Sequence, residues 1–116
     1  KFARTGGFSR TDEALKANAI HARQIAKQHG CAMFYMSQLS ADAENKVVLN
    51  QAMMEGSRTG KAAEADLMIL IAKNPPVEGQ EEEDTMRHLN LVKNKLSGWH
   101  GIIHCNLEYK TARYVV

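Results

Sequence analysis

The sequence predicts an α/β fold: buried parallel strands with a flanking helix, followed by a carboxyl-terminal antiparallel hairpin. Three observations predict it. Cys31 to Met36 and Leu67 to Ala72 are unbroken apolar runs, too short for helices, as in strands covered on both faces. An alanine-rich helical stripe leads into the first run through Gly30. The last third changes to alternating apolar and polar residues, the period of half-buried antiparallel strands.

Length and composition agree with one domain. A chain of 116 residues, 44% hydrophobic and 24% charged, is an ordinary globular composition, and at this size about 65% of the unfolded surface is buried on folding. Two cysteines are too few for a disulfide framework, and a reducing, cytoplasmic setting follows. No apolar run approaches a membrane span, so no membrane partner is expected. The net charge of +2 is segregated: Glu78, Glu81, Glu82, Glu83 and Asp84 fall in one segment, and the rest of the chain carries +7. That excess suits a polyanionic partner.

Each element has its own signal. Ser9 followed by Asp12 and Glu13 reads as a helix amino terminus with acids in the first turn. Leu15, Ala19, Ala22 and Ala26 then recur at spacings of 4, 3 and 4, with Lys16, Arg23 and Lys27 off the stripe. Gly30 closes the helix and the first apolar run begins at once. Residues 40–59 form a long segment of little periodicity, the kind of loop that is functional or mobile in compact domains. A short helix is expected over Lys61 to Ala65, then the second apolar strand. Pro75, Pro76, Gly79 and the acids make an exposed linker. Leu89 and Leu91 share a face with Arg87, Lys93 and Lys95, while Ile103, Cys105, Leu107 and Tyr109 alternate with Ile102, His104, Asn106 and Glu108. Leu96, Ser97 and Gly98 join these two strands, and Ala112 to Val116 supply a third.

Candidate chemistry lies at strand ends. Gln38 follows the first apolar run, where open α/β sheets place ligands, and its neutral amide both donates and accepts hydrogen bonds. That suits sensing a phosphate or orienting a water; the plainer reading is an amide satisfied by loop backbone. Lys93 and Lys95, two apart on a strand, put paired cations on one side, suited to neutralising phosphate or, alternatively, to guarding a sheet edge. Lys46, Arg58 and Lys61 supply cations for a phosphate backbone, or are simply solvated. The stretch Gly56 to Ala62 is not a P-loop: three residues separate its glycines where the motif has four, and Ala62 replaces the hydroxyl residue. His88, His100, His104 and Cys105 lack any metal-ligand spacing, so no metal site is expected. Trp99 either stacks on a base or covers the sheet edge.

Together these features resemble the carboxyl-terminal half of the RecA-like ATPase domain of hexameric replicative DNA helicases, the DnaB type and the phage primase-helicases. Four elements in order carry the resemblance: Ser37-Gln38-Leu39; Gly60 leading to Ala65-Asp66-Leu67; Leu91-Val92-Lys93-Asn94-Lys95; and the closing hairpin from Ile102 to Tyr109 with Thr111 to Val116. The resemblance implies that Gln38 senses the γ-phosphate of ATP bound with Mg2+. It implies that Lys93 and Lys95 reach a neighbouring subunit's nucleotide in a ring of identical subunits, a hexamer in the family. It also implies that residues 40–58, with Lys46 and Arg58, touch single-stranded DNA. Lys95 stands where the family has arginine, losing the planar fork; the segment from Pro75 to Asp84 is longer than the family pattern. The family's Walker A and Walker B motifs are absent from residues 1–116, so the resemblance makes this chain the carboxyl-terminal part of such a domain, from a bacterial or phage-infected cell. Alternative readings are a recombinase or clock-type RecA-like ATPase, or a non-enzymatic α/β interaction module. On the helicase reading, isothermal titration of the 116-residue chain with Mg-ATP shows no saturable binding; saturable binding would contradict it.

Overall fold

The computed structural model describes residues 11–54 and 64–116. The chain divides into two compact units, Lys1–Ser40 with Gln51–Ala65, and Ala41–Asn50 with Asp66–Val116.

The first unit carries helix α1, Thr11–His29. Ala14, Leu15, Asn18, Ala19 and Ala22 are buried while Lys16 and Lys27 are exposed, so the alanine stripe is the packed face as far as Ala22. The Arg23 guanidinium, off that stripe, donates to the Glu64 carbonyl at 2.9 Å. Gly30 takes φ 60° and the Cys31 N–H closes back on the Ala26 carbonyl at 3.1 Å, the six-to-one bond of a Schellman cap. A residue with a Cβ resists that conformation, which is why glycine ends the helix. The expected amino-terminal cap at Ser9 lies outside the described residues.

The run Cys31 to Met36 is not the buried strand its composition predicts. Residues 31–38 form no strand, no described strand pairs with them, and Phe34 is 90% and Met36 87% exposed. Apolar composition makes a buried strand possible, but a partner ladder makes it a strand. Order returns at Leu39, which bridges to Met54, and at Ser40, whose N–H and Oγ–H both donate to the Met53 carbonyl at 2.7 and 3.0 Å.

The second unit is built on one sheet of four strands, β1 (Leu67–Lys73), β2 (Met86–Asn94), β3 (Gly101–Glu108) and β4 (Arg113–Val115), in that spatial order. Every pairing is antiparallel, so β1 is not the parallel strand expected from its unbroken apolar run. Nor is it buried on both faces: Met68, Leu70 and Ala72 are buried, while Leu67, Ile69 and Ile71 stay exposed. An all-apolar strand satisfies burial on either face, so its composition does not encode direction. The short helix expected over Lys61 to Ala65 falls mostly outside the described residues.

The hairpin strands follow the predicted alternation, with one irregularity of consequence. Ile71, Leu89 and Ile103 lie side by side on one face; Leu70, Asn90 and Ile102 lie on the other, beside Ala72, His88 and His104. Between β1 and β2 the register slips: Met68 faces Lys93 but Ile69 faces Leu91. Val92 is the extra β2 residue of a β-bulge. The bulge reverses the alternation, so Lys93 shares the face of Met68 and not, as simple counting predicts, that of Leu89 and Leu91.

Asn94 builds the β2–β3 turn. Its Oδ1 accepts from Leu96 N–H and Ser97 N–H at 3.0 and 3.1 Å, and its Nδ2 donates to Ser97 Oγ at 2.7 Å and the Trp99 carbonyl at 3.2 Å. Gly98, at φ 78°, returns its N–H to the Asn94 carbonyl at 2.9 Å. The Trp99 ring lies over Gly101, where a Cβ would come within 2.6 Å of it. The tryptophan therefore covers the end of β3. Gly98→Ala is expected to lower the stability of the chain by about 1 kcal/mol, and Gly98→Asn by less, because asparagine tolerates the left-handed region better; equilibrium denaturation of the two variants checks this order.

Candidate functional site

The two lysines sit where the sheet meets its first turn. The Lys95 N–H donates to the Asp66 carbonyl at 2.9 Å, extending the β1–β2 ladder past the end of β2 at Asn94. Lys95 is thus the first turn residue rather than a strand residue, and its side chain leaves an anchored backbone into solvent. Lys93 is half-buried on the Met68 face. The paired display expected from residues two apart on a regular strand is replaced by one exposed amine in the turn and one half-buried amine beyond the bulge. The cause is local: the bulge shifts one and the strand end frees the other.

Gln38 belongs to the first unit, exposed in the segment that precedes the Leu39 bridge. It does not stand at the tip of a described strand. Tyr35, half-buried in the same segment, has its phenol pushed up, first by burial and second by the charge of Glu64.

Lys46 is exposed in the second unit, on a loop whose course is set by short-range bonds. Glu44 N–H donates to the Ala41 carbonyl and Lys46 N–H to the Ala43 carbonyl, at 3.0 and 3.2 Å, with Asn45 at φ 58° between them. Asn90, 2% exposed on the central strand, then accepts the Leu49 N–H at 2.9 Å and donates to the Val47 carbonyl at 3.0 Å. Arg58 and Lys61 lie outside the described residues. Of the predicted site residues, the second unit therefore gathers Lys46, Lys93 and Lys95.

Sequence reading missed a polar network on the buried face. Asp84 accepts the Met86 N–H at 2.9 Å and the Asn74 Nδ2–H at 2.7 Å. Asn74 therefore turns its Oδ1 to His88 Nε2, at 2.8 Å, and that nitrogen must carry a proton. In a neutral His88 the Nδ1 is then an acceptor, and it receives His104 Nδ1–H at 2.7 Å, the rings meeting edge to face. Arg87 is held nearby, donating to the Asp84 and Met86 carbonyls and to the Tyr109 hydroxyl, which donates to Glu83. Two acids of the supposed linker, Glu83 and Asp84, thus serve the sheet. The available signal was the polar interruption of β2 at His88 and Asn90. Among the described residues no three His, Cys, Asp or Glu side chains converge to hold a metal, and no helix is long and apolar enough to cross a membrane.

No family model and no curated protein sequence matches the chain. Its backbone does match a solved structure, the ATPase domain of a phage replicative helicase of the DnaB type, with a TM-score of 0.79 at 12% sequence identity. The match covers 97% of this chain and 40% of that one. The fold is that of part of a RecA-like ATPase domain. The RecA-like chain thus combines an α/β class legible in its sequence with a sheet whose four described strands are all antiparallel.

The Met86 N–H, the Asn74 amide and the nearby charges of Arg87 and His88 hold the Asp84 carboxyl below its ordinary value of 3.8. A carboxyl depressed on folding stabilises the fold above its ordinary value, and that contribution is lost as pH falls through the lower folded value. Stability should therefore decline on the acid side of about pH 4, and Asp84→Asn should flatten that decline, as read from denaturation midpoints across the acid range.

Proposed function

We propose that the chain is part of the motor domain of a replicative ring DNA helicase, coupling nucleoside triphosphate hydrolysis to movement on single-stranded DNA. The observation that carries this reading is the coincidence of the four ordered sequence elements with a backbone matching an ATPase domain over nearly the whole chain. Because the chain spans 40% of that domain, the activity belongs to the protein in which these residues operate, with ATP and Mg2+ as its cofactors.

On this reading Lys95 is the chain's contribution to a neighbouring subunit's nucleotide. Its amine is exposed and its backbone is tied to Asp66, a fixed base for a cation that must reach outward. Lys93 supports the same phosphate charge from the Met68 face. An ammonium is a point charge, so the two lysines neutralise phosphate without the bidentate grip of arginine. Gln38 senses the γ-phosphate in its own subunit, its exposed amide able to orient a water or a phosphate oxygen. Bound Mg-ATP would supply the phosphoryl group to be transferred. Lys46, Arg58 and Lys61 face the DNA backbone, and identical subunits form the ring.

Lys95→Ala in the intact protein is expected to lower DNA-stimulated hydrolysis by about 100-fold or more, on the scale of lost trans-acting cations, with nucleotide affinity kept. Hydrolysis and equilibrium nucleotide binding, measured side by side, check this. Unchanged hydrolysis contradicts the reading; loss of both activities favours a role inside the subunit's own pocket.

A further inference from the structure

We infer that Asn90 is a positioning residue for single-stranded DNA, acting through the loop that carries Lys46. The inference rests on the helicase reading above and deepens it.

The side chain is well specified. Asn90 sits at the middle of the central strand, between Leu70 on β1 and Ile102 on β3, and is 2% exposed. A carboxamide buried there must satisfy both ends. Leu49 N–H can only donate and the Val47 carbonyl can only accept, so these partners fix which end of the amide faces each. The Nδ2 also lies 3.3 Å from the His88 carbonyl of its own strand, completing its bonds.

The geometry is that of a substitute strand. Asn90 bonds two backbone groups separated by one residue, as a neighbouring strand edge does. Leu49 is buried beneath this clamp, whereas the intervening Val48 is 67% exposed. Lys46 adjoins the clamp directly, and its own N–H is bound to the Ala43 carbonyl. Its backbone is therefore held on both sides, and the exposed ammonium starts from a fixed point. A cation followed two residues later by an outward apolar side chain offers one contact to a phosphate and one to a sugar or base. This pairing suits single-stranded nucleic acid, where both surfaces are presented together. Asn90 touches no DNA in this arrangement; it keeps Lys46 and Val48 in register with the strand.

The test is a double-mutant cycle in the intact protein, with a fluorescent oligothymidylate as probe and anisotropy as readout across a salt series. Lys46→Ala is expected to weaken binding several-fold and to reduce the salt slope by about 0.7, the loss of one phosphate contact on a single strand. Asn90→Ser, which cannot span both backbone groups, is expected to produce a similar loss and a similar change of slope. The double variant should be no weaker than Lys46→Ala alone. Asn90→Asp, close in shape but with no donor for the Val47 carbonyl, gives a second measure if serine unfolds the sheet, and circular dichroism monitors folding in each case. Additive losses, or an unchanged salt slope in a folded Asn90 variant, overturn the inference and leave the DNA-binding reading intact. An inert Lys46→Ala overturns Lys46 as a DNA contact and the inference with it.

Discussion

The second unit depends on the satisfaction of polar groups along β2. That strand is bonded on both sides, to β1 and β3, and its protected face carries His88 and Asn90 rather than hydrocarbon. Leaving a buried amide unbonded costs about 1–3 kcal/mol. The constraint is met by drawing other segments in: the loop at Val47 and Leu49 to Asn90, and Asn74 with Asp84 to His88. Apolar strands alone would set a sheet; the buried polar side chains also dictate where its loops run.

The same economy governs the sheet's working end. The bulge at Val92 and the Asn94-built turn end the regular ladder just where the two lysines occur. Lys93 passes to the opposite face and Lys95 leaves the strand, yet the backbone of Lys95 remains fixed through Asp66. A cation on a fixed base loses less freedom when it meets a phosphate than one on a mobile loop. Strand end, turn and loop therefore place Lys95 and Lys46 on supported backbone, while the chemistry proposed for them remains with the assembled protein.

Much of this architecture is legible in the sequence, for identifiable reasons. The alanine stripe and Gly30 specify a helix and its cap through strictly local chemistry, and both are as expected. The last strands alternate in the expected period because one face is packed and the other is not. Cys31 to Met36 and the direction of β1 are illegible because each depends on a partner strand, which apolar composition does not name. The face of Lys93 departs from simple counting because one bulged residue inverts a period of two. Asn90, His88 and Asn74 escape notice because a polar residue in a half-buried strand ordinarily points to water. Only the paired backbone shows that these point inward.

A structure of the assembled protein with a non-hydrolysable ATP analogue and single-stranded DNA bears most directly on the central claim, that these residues complete sites shared between subunits. The account predicts the Lys95 amine at hydrogen-bonding distance from a phosphate held by the adjacent subunit, with Lys46 against the DNA backbone. Nucleotide phosphates contacted only within their own subunit, with Lys95 in solvent, would contradict it.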